Sequence, residues 1–353
     1  MNVTACLHDF RVKLNRVAHR YLPLAILAVM LAPEIATAGS GVIVMYHRIG
    51  DEAAFPSTSV SNEQFESHIS LLEEQKYTVW PLEKLSMALQ SGQPIPDRTV
   101  AITFDDAHRS VYDIAWPRLK RAGMPFTLFV ATRSVDSGAA GFLSWDQIRE
   151  MTADGVTIGN HTRTHLHMAG ASIDRNREEI RHARRRLSEE LSVDPPLFAY
   201  PFGEMSSAVR DLVIAEGFKA AFGQHSGVAH SSGDAYFIPR FAFNEQFGDL
   251  ARFRRAVDAM PLPVADITPA DPLIATNPPA FGFSVGTDMR GLHQLACYHS
   301  QFGKVDLMRL GEWRIEIRFA EPFRKGRTRL NCTLPGPDGR WRWFGRQFYV
   351  KPS

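Results

Sequence analysis

Residues 100–106 have the sequence VAITFDD, an apolar run of strand-forming residues that ends in two adjacent carboxylates. Similar apolar runs lie at residues 42–46 and 126–130. Helical patterns separate them, and in the first of these Phe65 and Ile69 lie on one face. Because strand and helix alternate, the sequence predicts an α/β fold with a parallel sheet, either open or closed into a barrel. Polar residues that directly follow strands in such folds are candidates for the functional site.

The residue pattern of the sequence changes at about residue 261. Residues 261–279 contain six prolines, which is typical of a linker or a sheet edge. Farther on, apolar and charged residues alternate over residues 313–319, and the sequence PGPDG at residues 335–339 predicts a turn between two strands. We therefore predict an α/β domain over residues 39–260, followed by a small antiparallel all-β domain, a sandwich, over residues 261–353.

The first 38 residues are predicted to be a signal peptide. Four Lys/Arg residues between residues 11 and 20 precede an apolar run of 11 residues, from Leu22 to Ala32, and small residues follow at positions 36–38. The run is well short of the ~20 residues that span a bilayer. A buried core helix is the alternative interpretation. Cleavage before Gly39 would give an exported protein, periplasmic or extracellular, with no transmembrane segment after removal of the signal.

Composition limits the classes of partner. The 353 residues are 44% hydrophobic and carry a formal net charge of +2, so no overall basic field indicates nucleic acid. Export would leave Cys297 and Cys332 as a pair in an oxidising compartment, where either a disulfide or two separately buried thiols is consistent with the sequence. The oligomeric state is left open.

Three polar clusters follow strand-like runs. Asp105 and Asp106 can divide the work of proton acceptor and metal ligand, or can simply cap the next helix. His161 and His165, four apart on a predicted helical turn, can chelate one ion, although two solvated histidines would have the same spacing. The sequence FAYPFG at residues 198–203 predicts a strand ending in a turn, whose backbone N–H can serve as an oxyanion donor.

Together and in this order, the three clusters resemble the motifs of the polysaccharide deacetylase family, carbohydrate esterase family four, over residues 41 to about 247. The resemblance implies a distorted (β/α) barrel. It implies that Asp105 is the catalytic base and that Asp106, with the two histidines of the second cluster, holds a divalent metal. It further implies that the backbone N–H of Phe202 helps to bind the oxyanion. Zinc suits one carboxylate and two imidazoles, but other first-row metals have similar ligand preferences.

The sequence departs from this family pattern at two positions. Ala199 stands where the family has an arginine that holds the catalytic aspartate, and we predict that Arg240, in the sequence IPR at residues 238–240, supplies that charge from another loop. The family's late Leu-x-His motif has no convincing match either. His47, at the end of the first strand, is the predicted general acid, as in the branch that deacetylates poly-β-1,6-N-acetylglucosamine.

Each of these two predictions has an alternative: a surface arginine at position 240, and a structural histidine at position 47. The other candidate acids are His167, His225 and His230.

The function implied is that of an exported, metal-dependent hydrolase of carbon–nitrogen bonds. It would remove N-acetyl groups from a polysaccharide that contains N-acetylglucosamine. Two alternatives are an acetyl-ester hydrolase of the acetylxylan esterase type and an exported carbohydrate-binding protein without catalysis. The sequence leaves the polysaccharide, its linkage and the role of the C-terminal domain open.

Overall fold

A curled, mainly parallel sheet forms the first part of the chain in the computed structural model, which describes residues 39–50, 55–287 and 289–352. These residues belong to one compact unit. The predicted signal peptide lies outside the described residues. Within the described ranges, no helix has both the length and the apolar character needed to cross a membrane.

The sheet has the central order β10-β1-β5-β6-β7-β8-β9, with β11 also paired to β1 and β4 to β5. A short pair, β2 and β3, lies outside it. Neighbours from β1 to β9 run parallel, and β10 runs antiparallel to β1. The strands are β1 Ser40–Tyr46, β2 Arg48–Ile49, β3 Ser59–Val60, β4 Thr78–Val79, β5 Thr99–Asp105, β6 Phe126–Val130, β7 Thr157–Asn160, β8 Leu197–Ala199, β9 Ala220–Phe222, β10 Ala229–His230 and β11 Phe241–Ala242.

Helices pack against this sheet between successive strands. Serines at positions 61 and 144 cap the first and fifth helices, each in a capping box with a glutamine three residues later, so these two starts are fixed locally by sequence. The helices are α1 Asn62–Glu74, α2 Leu82–Ser91, α3 Trp116–Arg121, α4 Thr132–Asp136, α5 Trp145–Ala153, α6 Ile173–Leu191, α7 Ser207–Ala215 and α8 Leu250–Val257. The predicted alternation of strand and helix is therefore confirmed.

One segment nearly joins the two edges of the curled sheet. Ile238 forms a parallel bridge with Phe222 at the end of β9, and three residues later β11 pairs with β1. We call residues 238–242 the bridging segment. This segment spans the gap between β1 and β9. The curled sheet is therefore a distorted barrel, as predicted.

The second part of the chain is a β-sandwich. It begins with a short edge strand, Met260–Pro261, that pairs with the last strand, Trp341–Val350. One sheet has the order β12-β20-β19-β15-β16 and the other β13-β14-β18-β17, and apolar side chains from both meet in one core. The strands are β12 Met260–Pro261, β13 Val264–Thr268, β14 Ala280–Val285, β15 Ala296–His299, β16 Gly303–Val305, β17 Met308–Leu310, β18 Arg314–Arg318, β19 Gly326–Pro335 and β20 Trp341–Val350.

Cys297 of β15 and Cys332 of β19 are paired directly across these two antiparallel strands and form a disulfide. The predicted turn at residues 335–339 joins β19 to β20. The proline-rich stretch contributes the edge strands β12 and β13, so it belongs to the sheets. The domain boundary at residue 261 remains a proposal.

Candidate active site

The two aspartates lie at the carboxyl end of β5, in the middle of the parallel sheet. Asp105 is the last residue of the strand and is fully buried. Asp106 and Ala107 both have positive φ angles, of 74° and 63°, a conformation that turns the chain sharply. As a result the two carboxylates reach different groups: Asp105 is paired with an arginine, whereas Asp106 faces histidines.

His161 and His165 lie in the loop that follows β7. The prediction of a helical turn was wrong: residues 161–165 are irregular, and Thr162 and His165 have positive φ angles of 65° and 57°. The side chain of Asn160 accepts a hydrogen bond from the Thr162 N–H, and Glu179 of α6 accepts one from the Thr164 N–H. The Asn160 bond is a local side-chain bond of the kind that competes with helix formation. The loop still brings the Nε2 atoms of both histidines to the same oxygen of Asp106, at 3.4 and 3.2 Å.

The arrangement fits a divalent metal. The Nδ1 of His161 lies 2.7 Å from the Ala199 carbonyl oxygen, which fixes the tautomer and leaves the Nε2 lone pair free. The Nε2 atoms of His161 and His165 and the Oδ1 of Asp106 are buried and lack hydrogen-bond partners among the described residues. These atoms all lie within 4.8 Å of one another. Unsatisfied buried polar atoms are costly, and a shared cation would satisfy all three.

Arg240, in the bridging segment, forms a buried ion pair with Asp105. Its Nη1 and Nη2 donate to the two carboxylate oxygens at 2.7 and 2.8 Å, and both side chains are fully buried. The guanidinium also donates to the Gly223 carbonyl and the Thr103 hydroxyl. The contact expected in place of the missing arginine at Ala199 is therefore present.

Electrostatics favour an ionised Asp105 and a neutral His165. Burial by itself would raise the pKa of Asp105, but the Arg240 guanidinium outweighs it and holds the pKa below its usual value. Burial lowers the pKa of His165 to about 4, although Asp106 opposes the shift. A neutral imidazole is the form that binds a metal.

Phe202 forms the centre of the tight turn at Pro201–Gly203, beside the histidines. It adopts φ 58°, ψ 5°, and Gly203 follows at φ 66°, where a Cβ would lie 2.5 Å from the backbone nitrogen of Gln224. The Phe202 ring packs edge-on against His165 at 4.2 Å and stacks on His167 at 4.1 Å. The turn predicted to supply the oxyanion donor is thus in contact with the candidate metal site.

His47 directly follows β1, one residue beyond the register pair Tyr46 and Phe104, and so lies next to Asp105 across two parallel strands. Its ring is half-buried, and burial lowers its pKa although Asp106 and Asp105 oppose the shift. Its role as general acid stays a prediction.

The three other candidate acids occupy different places. His167 has its Nδ1 3.0 Å from Glu204, and His225 is buried against Phe237, where burial lowers its pKa to about 3. His230 lies in the antiparallel edge strand β10 with its Nδ1 2.9 Å from a serine hydroxyl.

Sequence reasoning missed His108. Its side chain is buried, its ring packs on Phe142 at 4.6 Å, and its Nε2 lies 3.4 Å from the second oxygen of Asp106. This contact helps to turn the first oxygen of that carboxylate toward the other two histidines. The sequence signal that could have indicated this contact is the position of His108, two residues after the carboxylate pair.

Comparison with known proteins gives these features a class. The family model for polysaccharide deacetylase matches residues 92–221, which include Asp105, Asp106 and the loop that carries His161 and His165. With the curled parallel sheet, this match defines a hydrolase that deacetylates polysaccharides. Over these residues the chain is similar to the polysaccharide deacetylase family.

Three relatives illustrate the similarity. The chain is 28% identical over 199 residues to the protein YxkH of Bacillus subtilis (strain 168), covering 56% of this chain and 69% of that protein. It is 26% identical over 204 residues to the poly-beta-1,6-N-acetyl-D-glucosamine N-deacetylase of Staphylococcus aureus (strain MSSA476), covering 53% and 68% respectively. The solved structure of IcaB from Ammonifex degensii is 26% identical with a TM-score of 0.56, covering 63% of this chain and 99% of that one.

Proposed function

We propose that the chain is an exported, metal-dependent N-deacetylase of a polymer that contains N-acetylglucosamine. The observation that carries the proposal is the meeting of three unsatisfied buried ligand atoms with an ionised, arginine-paired carboxylate at one end of the sheet. Similarity to the Staphylococcus aureus poly-beta-1,6-N-acetyl-D-glucosamine N-deacetylase supports the substrate class.

Asp106, His161 and His165 would hold the metal. Three protein ligands leave coordination positions open, which is the mark of a catalytic site. When bound there, the ion supplies Lewis-acid chemistry to an acetyl carbonyl and to water. Zinc suits this donor set of one carboxylate and two imidazoles, as do other first-row metals.

Asp105 acts as the general base. Its pKa is held low by Arg240, so it is ionised at neutral pH, and each oxygen that accepts one bond from the guanidinium keeps capacity for another. One of these oxygens lies 4.0 Å from the Nε2 of His161, on the side of the candidate metal ligands. There it can take the proton of the attacking water.

The Phe202 N–H and His47 complete the reaction. The N–H stabilises the negative charge that develops on the carbonyl oxygen of the acetyl group. His47 gives a proton to the departing amine, which leaves poorly without one.

Export is supported by two observations outside the active site. Residues 1–38 have the basic, apolar and small-residue order of a signal peptide. The disulfide between Cys297 and Cys332 is of the kind that persists in oxidising compartments. N-terminal sequencing of the processed protein from culture medium or periplasm should start at Gly39, and an unprocessed cytoplasmic chain would contradict this part of the proposal.

Acetate release tests the activity. N-acetylglucosamine oligomers and acetylated xylan are offered separately, with and without a chelator. We expect release from the amide substrate only, abolished by the chelator and by His161→Ala. Release from acetylated xylan alone would favour the ester hydrolase, and binding of oligomers without release would favour the non-catalytic alternative.

A further inference from the structure

Two side chains of the C-terminal β-sandwich hold the backbone of the active-site turn. Arg327 of β19 and Gln347 of β20 both donate to the Phe202 carbonyl oxygen, from Nη1 at 3.2 Å and from Nε2 at 3.0 Å. The Arg327 guanidinium also lies 4.9 Å from the centre of the Phe202 ring. The sandwich, whose role the sequence left open, therefore contacts the residue that carries the proposed oxyanion donor.

Phe202 needs such support because its backbone is unfavourable. A non-glycine residue at positive φ costs on the order of 1–3 kcal/mol and persists only where its surroundings hold it. The contacts act on two of the groups attached to its Cα: the carbonyl is held by the sandwich, and the ring lies between His165 and His167. With these two groups fixed, the position of the third, the backbone nitrogen, follows from the tetrahedral geometry of Cα, and the φ angle of 58° then sets the direction of its N–H.

Both donors are themselves oriented by further polar partners. The Nε of Arg329 donates to the Oε1 of Gln347 at 3.0 Å, which leaves the amide nitrogen to face Phe202. Glu204, which is 1% exposed, lies 3.5 Å from the Nε of Arg327 and 3.0 Å from the Nδ1 of His167. These contacts form a network that extends from the β19–β20 hairpin to the stacked rings of Phe202 and His167.

We propose that Arg327 and Gln347 are positioning residues that aim the Phe202 N–H at the developing oxyanion, so that the β-sandwich is part of the catalytic apparatus. The inference rests on the proposed role of that N–H. The alternative role for the same surface is binding of a sugar unit of the substrate. A cleft of about 640 Å³ beside the turn is lined by His167, Glu204, Arg327 and Lys351, among others, and could serve only to bind a neighbouring sugar unit.

The test compares Arg327→Met, Gln347→Met and the double variant with Arg342→Met as a matched control. Arg342 of β20 also donates to a backbone carbonyl, that of Pro261, but at the opposite end of the β19–β20 hairpin. Misplacing a catalytic donor by about 1 Å can cost about 100-fold in rate. We expect kcat to fall about 10-fold in each single variant and about 100-fold in the double variant, with KM, metal content and melting temperature close to wild type.

Substrate choice separates positioning from sugar binding. The kcat loss should be similar for an N-acetylglucosamine oligomer and for an activated aryl acetate, because both develop the same oxyanion. Arg327→Lys should recover part of the loss, since an ammonium can still donate to the carbonyl. A raised KM for the oligomer with unchanged kcat, and no effect on the aryl acetate, would overturn the proposal in favour of a sugar subsite.

A structural readout keeps this inference separate from the proposed activity. In a crystal structure of the double variant, we expect the Phe202 φ angle to leave the positive region or its carbonyl to turn away. An unchanged turn would overturn the positioning role even if the enzyme were inactive on every substrate. Active wild-type enzyme with unaffected variants would overturn it while leaving the deacetylase function intact.

Discussion

Replacing Arg240 by methionine tests the buried guanidinium that keeps the proposed base, Asp105, ionised. Arg240 and Asp105 are both fully buried and joined by two hydrogen bonds of 2.7 and 2.8 Å. Removing one partner of a buried ion pair strands the other charge and costs about 3–5 kcal/mol of stability. Arg240→Met should therefore lower the free energy of unfolding by about that amount and reduce kcat.

The pH dependence of this loss has a definite sign. In the wild type the pKa of Asp105 is held below its usual value, so the ionised carboxylate contributes stability above the unfolded-state pKa and this contribution is lost as pH falls. In Arg240→Met the guanidinium no longer opposes burial, so the pKa of Asp105 rises, although His161 still lowers it. The deficit in unfolding free energy should then be largest near neutral pH and shrink toward acid. The acidic limb of the rate profile should move upward.

Denaturant melts from pH 4 to 8, with a chelator present so that no metal contributes, measure the stability. A double variant provides the control: Asp105→Asn removes the stranded charge, so Arg240→Met/Asp105→Asn should be more stable than Arg240→Met alone. Arg240→Lys should recover only part of the loss, because it keeps the charge but not the planar fork. An Arg240→Met protein with wild-type stability and an unchanged pH profile would refute the reasoning.

Three further outcomes are expected. His161→Ala should lose both bound metal and activity with little change in fold, whereas Asp105→Asn should keep metal and lose turnover. If metal analysis found that Asp105→Asn loses the metal and Asp106→Asn keeps it, the roles of the two aspartates would be exchanged. His47→Ala should slow amide hydrolysis far more than hydrolysis of an activated aryl acetate, and equal losses with a lower melting temperature would indicate a structural histidine. Replacing Cys297 and Cys332 by alanine should cost about 2–4 kcal/mol of stability in denaturant melts, and an unchanged midpoint would contradict this.

The sheet and the three polar clusters could be predicted because their signals are local. An apolar run such as residues 100–104 indicates a buried strand, and polar residues just after parallel strands meet at one end of the sheet. The pairing of Arg240 could also be predicted, because the family that the sequence resembles has an arginine where this chain has Ala199, and the buried base still needs a cation.

The loop at residues 161–165 could not be predicted in the same way. A spacing of four suits a helical turn, but the two positive φ angles that shape the loop depend on partners such as Glu179, from a helix that begins later in the chain. The contacts of Arg327 and Gln347 with Phe202 are still less visible, because they join residues 125 and 145 positions apart. Such contacts follow from how the sandwich packs on the sheet, which no local pattern records.

The bridging segment ties activity to the closure of the curled sheet. It carries Arg240 and is held by a single bridge on one side, the two-residue strand β11 on the other, the buried hydrogen bonds of Arg240 to Asp105, and an edge-to-face contact between Phe241 and Trp343 of the sandwich at 5.1 Å. Because the backbone pairing at each sheet edge is this short, the closure can open locally at a lower free energy than global unfolding. On heating, we expect catalysis to be lost before the melting transition, with amide hydrogens of this segment exchanging faster than those of β5. The enzyme would then be inactive whenever the two edges of the sheet separate, because Arg240 would no longer be paired with Asp105.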